Sequence, residues 1–253
     1  MAHPPLAAQL IVFSRQVDVN KEIAGVLDAV AAAGFGAIEC GVTTGAEDPL
    51  AFRRLLRDRG LAVAGMHGGL NQDVEQTLRL AETYNAHDIC ISSLGGWENT
   101  LADNYCRDLE RFNAMARTCA RHGVMLHYHN HAYEFAPSDE GPTGMEIILE
   151  GLDRSVAGLC VDVAWVHIGG SDPAAFLREH ADVVHYVHLK DYEGERHWTE
   201  LGRGIVPLRE VMAVVEALPD MRWAIYEQDT SDRPAAESCA ISYRYLAETF
   251  GYR

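Results

Sequence analysis

The stretch 101-LADNYCRDLERFNAMARTCARHGVMLHYH-129 carries three signals in succession. Helical periodicity covers 101–122, and Gly123 follows where a helix C-terminus needs a left-handed residue. The short apolar segment 124-VMLHYH-129 then reads as a strand. The same unit recurs on both sides of it. Further strand candidates are 9-QLIVF-13, 37-AIEC-40, 61-LAVAGM-66, 88-DICIS-92, 157-AGLCVD-162, 183-VVHYVHL-189 and 223-WAIYE-227. Helix candidates lie between them at 20–33, 49–59, 72–85, 143–151, 173–180, 207–218 and 235–249.

Gly34 and Gly60 punctuate as Gly123 does, and Asp48-Pro49, Asp172-Pro173 and Val206-Pro207 open helices with proline at or near the first helical position. Strict βα alternation, eight times over 253 residues, predicts an α/β fold of the (β/α)8 TIM barrel type in a single domain, 1–253. A doubly wound open sheet is the alternative, but it usually uses fewer strands for this length.

The composition, 48% hydrophobic, supports a sizeable core. A formal net charge of −16 repels phosphate backbones and anionic membranes, so nucleic acid is an unfavoured partner and a small molecule a favoured one. No apolar run reaches the roughly 18 residues of a membrane span, and the start, MAHPPLAAQLIVF, lacks a basic n-region, so a cytoplasmic location is expected. The six cysteines show no CxxC pair; several sit in apolar runs, as reduced core thiols do.

In such a barrel the chemistry lies at the C-terminal ends of the strands. Those ends carry Glu39, 66-MHGG-69 with His67, 92-SSLGGWEN-99, 127-HYHNHAYE-134, Asp162 with Trp165, 188-HLKD-191 and 227-EQD-229. The opposite ends start with packing residues such as Ala157, Val183 and Trp223. An acidic strand end, such as Asp162 or Glu39, can simply cap the next helix. A lone histidine, such as His67, can simply be a hydrogen-bonded core residue. Yet Asp162, His188 and Glu227 on three successive strands can converge on one point, and the fifth strand can add a fourth ligand. Mixed nitrogen and oxygen ligation of this kind suits Mn²⁺, Mg²⁺, Co²⁺ or Zn²⁺.

His127, His129 and His131 share parity, so an extended chain points all three to one face. If that face is the barrel interior, His129 and His131 enter the cleft with His127 one layer deeper; if it is the outer face, the site depends on Glu134.

In 33-AGFGAIECG-41, 129-HNHAYEF-135, 161-VDVAW-165, 187-VHLKD-191, 202-GRGIVP-207 and 226-YEQD-229 the chain resembles the xylose-isomerase-like TIM barrels, in particular the sugar phosphate isomerase/epimerase group that includes inosose dehydratases and ketose epimerases. The resemblance covers nearly the whole chain. It implies a metal site built from a fifth-strand residue with Asp162, His188 and Glu227, with Mn²⁺ the foremost expectation. Where many relatives have glutamate in a string like LENH, this chain reads 128-YHNH-131 with His129 at that position. Glu134 is then expected as the displaced ligand, which frees His129, with His131 in reserve, for proton transfer. His129 as a replacement ligand is the other reading.

The resemblance implies a metal-dependent isomerase or epimerase that removes the proton next to a sugar carbonyl through an enediolate. A lyase acting on a keto-inositol or keto-glycoside shares the first half-reaction. Lys190 is a candidate for holding a hydroxyl or carboxylate among the catalytic residues. Glu39, His67 and Arg203, the last in 202-GRG-204, are candidates for substrate binding, with Trp97, Trp165 and Trp198 as flat walls for a sugar ring. A single arginine makes no phosphate site, so the substrate need not be phosphorylated. A metal-dependent endonuclease of the same superfamily would need a basic groove, which this acidic chain lacks. Barrels of this group are often dimeric, so a homodimer is a further expectation.

Overall fold

The structure, a computed structural model, describes residues 3–96, 101–137 and 141–252. Its strands are β1 (Leu6–Gln9), β2 (Ala37–Gly41), β3 (Ala62–Gly69), β4 (Asp88–Ser92), β5 (Met125–His129), β6 (Ala157–Asp162), β7 (Val184–Leu189), β8 (Asp191–Glu193), β9 (His197–Thr199) and β10 (Trp223–Tyr226). All but β8 and β9 pair in parallel and close a barrel in the order β1-β10-β7-β6-β5-β4-β3-β2. Closure comes from β1, which sets Ala8 beside both Ile38 and Tyr226. The expected (β/α)8 barrel is therefore present.

The helices are α1 (Ile11–Ser14), α2 (Ile23–Ala33), α3 (Pro49–Asp58), α4 (Val74–Tyr84), α5 (Ala102–Ala120), α6 (Gly144–Gly151), α7 (Val163–Ile168), α8 (Pro173–Glu179), α9 (Leu208–Val215) and α10 (Ala235–Phe250). The helix punctuation behaves as expected. Gly34, Gly60 and Gly123 all have positive φ, and Asp48 and Asp172 accept backbone N–H groups from the first turns of α3 and α8. Thr143 and Glu146 form a reciprocal capping box on α6.

The first strand is a correction. Strand formation was expected over 9–13, but β1 is the preceding Leu6–Gln9, and Ile11–Ser14 is a helical turn on the rim. Ala7, Ala37, Ala64, Cys90, Cys160, Tyr186 and Ile225, one side chain from each barrel strand except β5, form a cluster separate from the core beneath the helices. Tyr186 leaves Gly65 no room for a side chain, since a Cβ there would stand 2.6 Å from Tyr186 Oη, and β1 contributes only the small Ala7 to this cluster. Ile11, Val12 and Phe13 favour a strand by local propensity, but tertiary context sets them in the rim turn instead. Three further elements lay outside the expectation: α1, the short α7 after β6, and the antiparallel β8–β9 hairpin after β7.

Candidate active site

The strand ends deliver their polar groups to one rim, as the barrel geometry requires. His127 and His129 on β5, and His131 just beyond it, do share the interior face. His127 lies one layer down, its Nε2 2.8 Å from Asp88 Oδ1 and its ring 5.4 Å from that of Tyr186. His129 stands in the upper layer with its ring 4.6 Å from His188 and 5.0 Å from both His67 and His131. Tyr128, of opposite parity, packs outward against Phe112 of α5.

His129, Asp162, His188 and Glu227 are all buried and each offers one ligand atom within 4.8 Å of the others. Asp162 caps a helix with one oxygen and turns the other toward the cluster. Its Oδ1 accepts the N–H groups of Ala164 and Trp165 at 3.0 and 3.1 Å, which starts α7. That leaves Oδ2 facing inward, and Asn130 fixes the Asp162 backbone from both sides. His188 stands between two carboxylates, with Nε2 3.1 Å from Glu39 Oε2 and Nδ1 against Glu227 Oε2. Asp162 Oδ2, His188 Nδ1 and Glu227 Oε2 are buried and converge: His188 Nδ1 and Glu227 Oε2 face each other, and among the described residues Asp162 Oδ2 has only Lys190 Nζ, at 3.4 Å, beside it. Convergent polar atoms left in this state, two oxygens and a nitrogen, fit a divalent cation.

Burial disfavours charge on His188, but Glu39 and Glu227 together outweigh it and raise its pKa well above the ordinary value. Burial lowers His129, and the neighbouring His188 lowers it further. Burial raises the Asp162 carboxyl to about 7, against the pull of Lys190. For Glu227 burial is overcome by Lys190 and His188, which hold it well below the usual carboxylate range.

Glu134, expected as the displaced ligand, stands elsewhere. Its carboxylate accepts the Tyr128 hydroxyl and, at 2.8 Å, the His131 backbone N–H, so it ties the loop after β5 to the outer side of the barrel. Burial pushes its carboxyl up to about 8. The tight turn Tyr133–Phe135 carries it away from the strand direction, which periodicity alone did not reveal.

Lys190 is fully buried, with Nζ 2.6 Å from Asp229, 2.9 Å from Glu227 and 3.4 Å from Asp162. It also lies 4.3 Å from the Trp198 ring centroid and 5.1 Å from that of Trp165. Burial alone would lower its pKa, but the three carboxylates reverse that and keep it an ammonium. His131, its ring 5.4 Å from Trp165, is lowered to about 3 by burial and by Lys190.

Above these groups is a cavity of about 820 Å³, whose lining includes His67, His129, His131, Trp165, Trp198 and Glu227. Glu39 is fully buried and both of its oxygens are engaged, with His67 and His188, so it sits behind the site rather than in the cavity. Arg203 also stays out of the lining; it is half-exposed, 3.5 Å from Glu200. The glycines beside Arg203 serve the loop itself: the N–H groups of Gly202 and Gly204 both donate to Asp191 at 3.0 Å, and a Cβ on Gly204 would lie 2.2 Å from that carboxylate. Trp97 lies outside the described residues. Sequence reasoning did not single out Arg15 and Asn20, which line the cavity, because the misplaced first strand hid the loop that carries them. Asp229 was visible in the string 227-EQD-229 but had no assigned partner until Lys190 was placed.

Residues 27–248 match the family described as xylose isomerase-like TIM barrel. The chain belongs to that family. Among curated relatives, a protein named inosose dehydratase from Geobacillus kaustophilus is 26% identical over 191 residues, covering 66% of this chain and 61% of the relative. The chain thus matches less than two thirds of that relative's length. A solved structure named sugar phosphate isomerase/epimerase, from Parabacteroides distasonis, superposes with a TM-score of 0.80 at 18% identity, covering 97% of this chain and 94% of that one. A structure described as IOLI protein with a bound zinc atom superposes with a TM-score of 0.76 at 11% identity, covering 96% and 97%. At these identities the structural matches speak for the barrel. Among the described residues of this xylose isomerase-like barrel, no helix is long and apolar enough to cross a membrane.

Proposed function

We propose that this xylose isomerase-like barrel is a divalent-metal enzyme that removes the proton next to the carbonyl of a ketose-like sugar and completes an isomerisation or epimerisation. The observation that carries the reading is the convergence of His129, Asp162, His188 and Glu227 within 4.8 Å beneath an 820 Å³ cavity walled by Trp165 and Trp198. Two imidazoles and two carboxylates favour Mn²⁺, Co²⁺ or Zn²⁺ over Mg²⁺, which prefers oxygen alone. When bound, such an ion supplies a Lewis acid that polarises the carbonyl and offsets the charge of the enediolate.

The chain's own residues do the rest. Glu39 holds His188 by the nitrogen turned away from Glu227, which fixes the ring as a ligand. His131, neutral and on the cavity wall, is the candidate proton acceptor at the carbon next to the carbonyl. Lys190, buried beneath the cavity and held charged by Asp162, Glu227 and Asp229, fixes those carboxylates in place and does not act as the base. Trp165 and Trp198 offer apolar faces to the sugar ring, and the buried Trp165 Nε1, without a partner among the described residues, suits a hydroxyl. The cavity lining includes one arginine, Arg15, and no lysine, which favours an unphosphorylated sugar.

Elimination is the second reading, favoured by the inosose dehydratase relative. Incubation of the Mn²⁺-loaded protein with a panel of ketoses and keto-inositols in D₂O, followed by proton NMR, separates the two. Deuterium next to the carbonyl with all hydroxyls retained supports the isomerase or epimerase. An unsaturated product with a hydroxyl lost makes the protein a lyase. A full panel without exchange or product rejects both.

A further inference from the structure

A second ligand set lies one layer below the first. Cys90 of β4 and Cys160 of β6 are free, fully buried thiols in the cluster that fills the barrel. With His188 they place three ligand atoms within 4.8 Å of one another, and Cys160 Sγ is 3.7 Å from His129 Nδ1. The two cysteines flank β5, where Cys90 pairs with His127 and Cys160 with His129. With a strand between them their backbones are about 9 Å apart, since neighbouring strands lie about 4.8 Å apart. A disulfide requires Cα atoms within about 7 Å, so the pair does not close on itself, and both sulfurs stay available to a cation.

The chemistry of the two sets differs. Above are two imidazoles and two carboxylates, a borderline to hard set; below are two sulfurs and an imidazole, with a second imidazole at hand. Thiolates select soft ions, and a tetrahedral site of two sulfurs and two nitrogens is a common zinc arrangement. We propose that Cys90, Cys160 and His188, with His129 as fourth donor, form a second, thiophilic cation position, and that an ion of the Zn²⁺ or Cd²⁺ class held there takes histidines from the upper set and stops turnover. As each sulfur–metal bond forms, the thiol S–H bond breaks and its proton passes to solvent, two protons per ion. The competition, but not the sulfur position itself, rests on reading the upper set as the catalytic metal site.

The test is a Co²⁺ titration of the metal-free protein. The expected result is a strong near-ultraviolet sulfur-to-cobalt charge-transfer band together with the visible bands of bound Co²⁺. Cys90→Ala and Cys160→Ala should lose the charge-transfer band, keep the visible bands, and raise the Cd²⁺ concentration that inhibits the Mn²⁺-loaded protein about tenfold or more, the scale of losing a metal-supporting contact. Visible bands without charge transfer in the unaltered protein would overturn the proposal while leaving the upper metal site in place. This readout does not depend on the variants folding. Absence of all cobalt bands would overturn both. Retention of the charge-transfer band in Cys90→Ser and Cys160→Ser, which preserve side-chain size, would place the sulfur ligand elsewhere and also reject the proposal.

Discussion

At the residue scale, His129 and Glu134 show what a spacing can and cannot convey. Shared parity put His129 on a face with His127 and His131, and the interior is the face they share, so the imidazole cluster was legible. The position of Glu134 was not, because a tight turn after the strand breaks the two-residue period. His129→Asn is therefore expected to weaken metal binding by about 10-fold to 100-fold or more, whereas Glu134→Gln leaves it within about twofold; calorimetric titration with Mn²⁺ distinguishes them. Glu134→Gln has its own signature. Burial raises the Glu134 carboxyl from 4.5 to about 8, so between these values the folded chain binds more protons than the unfolded one. This contribution to stability is complete below about pH 4.5 and is lost as pH rises through about 8. Urea melts at pH 5 and pH 8.5 should show a smaller loss for Glu134→Gln than for the unaltered protein. Glu39 gives a third expectation. It supports His188 from behind, so Glu39→Gln should cost about 10-fold to 100-fold in metal affinity. A rise in KM at saturating metal without that loss would instead return Glu39 to substrate binding.

At the element scale, punctuation was the reliable signal and local apolarity the unreliable one. Glycines with positive φ and the Asp-Pro pairs marked helix ends where the structure has them, because those positions depend on local backbone geometry. The first strand escaped detection because its residues, LAAQ, are small or polar and carry no β-branched signal, while Ala7 is set beside Ile225 only by the closing of the barrel. The β8–β9 hairpin was hidden for a similar reason. Its loop is organised by Asp191, whose carboxylate accepts the N–H groups of Tyr192, Gly202, Gly204 and Val206 at 3.0 to 3.1 Å, an arrangement closed by chain separated in sequence. That loop carries Trp198, which stands over Lys190. Asp191→Ala leaves these donors without their acceptor and is expected to cost about 2–3 kcal/mol of stability. In steady-state assays it should raise KM more than it lowers kcat, since it loosens a wall and leaves the ligand residues in place.

At the scale of the whole molecule, the parallel barrel separates chemistry from support. The upper rim gathers the candidate ligand residues and Lys190, while the lower end buries a different polar group: Asp88 holds His127 at 2.8 Å and the Arg222 guanidinium at 2.6 and 3.1 Å. Asp88→Asn is expected to cost about 2 kcal/mol, less than for a fully orphaned buried charge because Arg222 is 40% exposed. Thermal melts should register that loss with kcat unchanged, as expected of the end of a barrel that supports rather than reacts. Eightfold alternation made the architecture readable, and the placement of acidic and imidazole groups at strand ends made the rim readable. The depth of each group was not, because depth depends on register and on the bulges between β2 and β3 and between β6 and β7. The pairing of Ala8 with both Ile38 and Tyr226 reaches beyond architecture. Ala8 and Tyr226 lie near opposite ends of the chain, so closing this seam carries a large loop-closure cost, and contacts of this range favour slow folding with the seam formed late. Glu39 reaches His188 across that seam. Full-strength cation capture during refolding should therefore lag behind helix formation, and a stopped-flow metal indicator would report the moment the ring shuts.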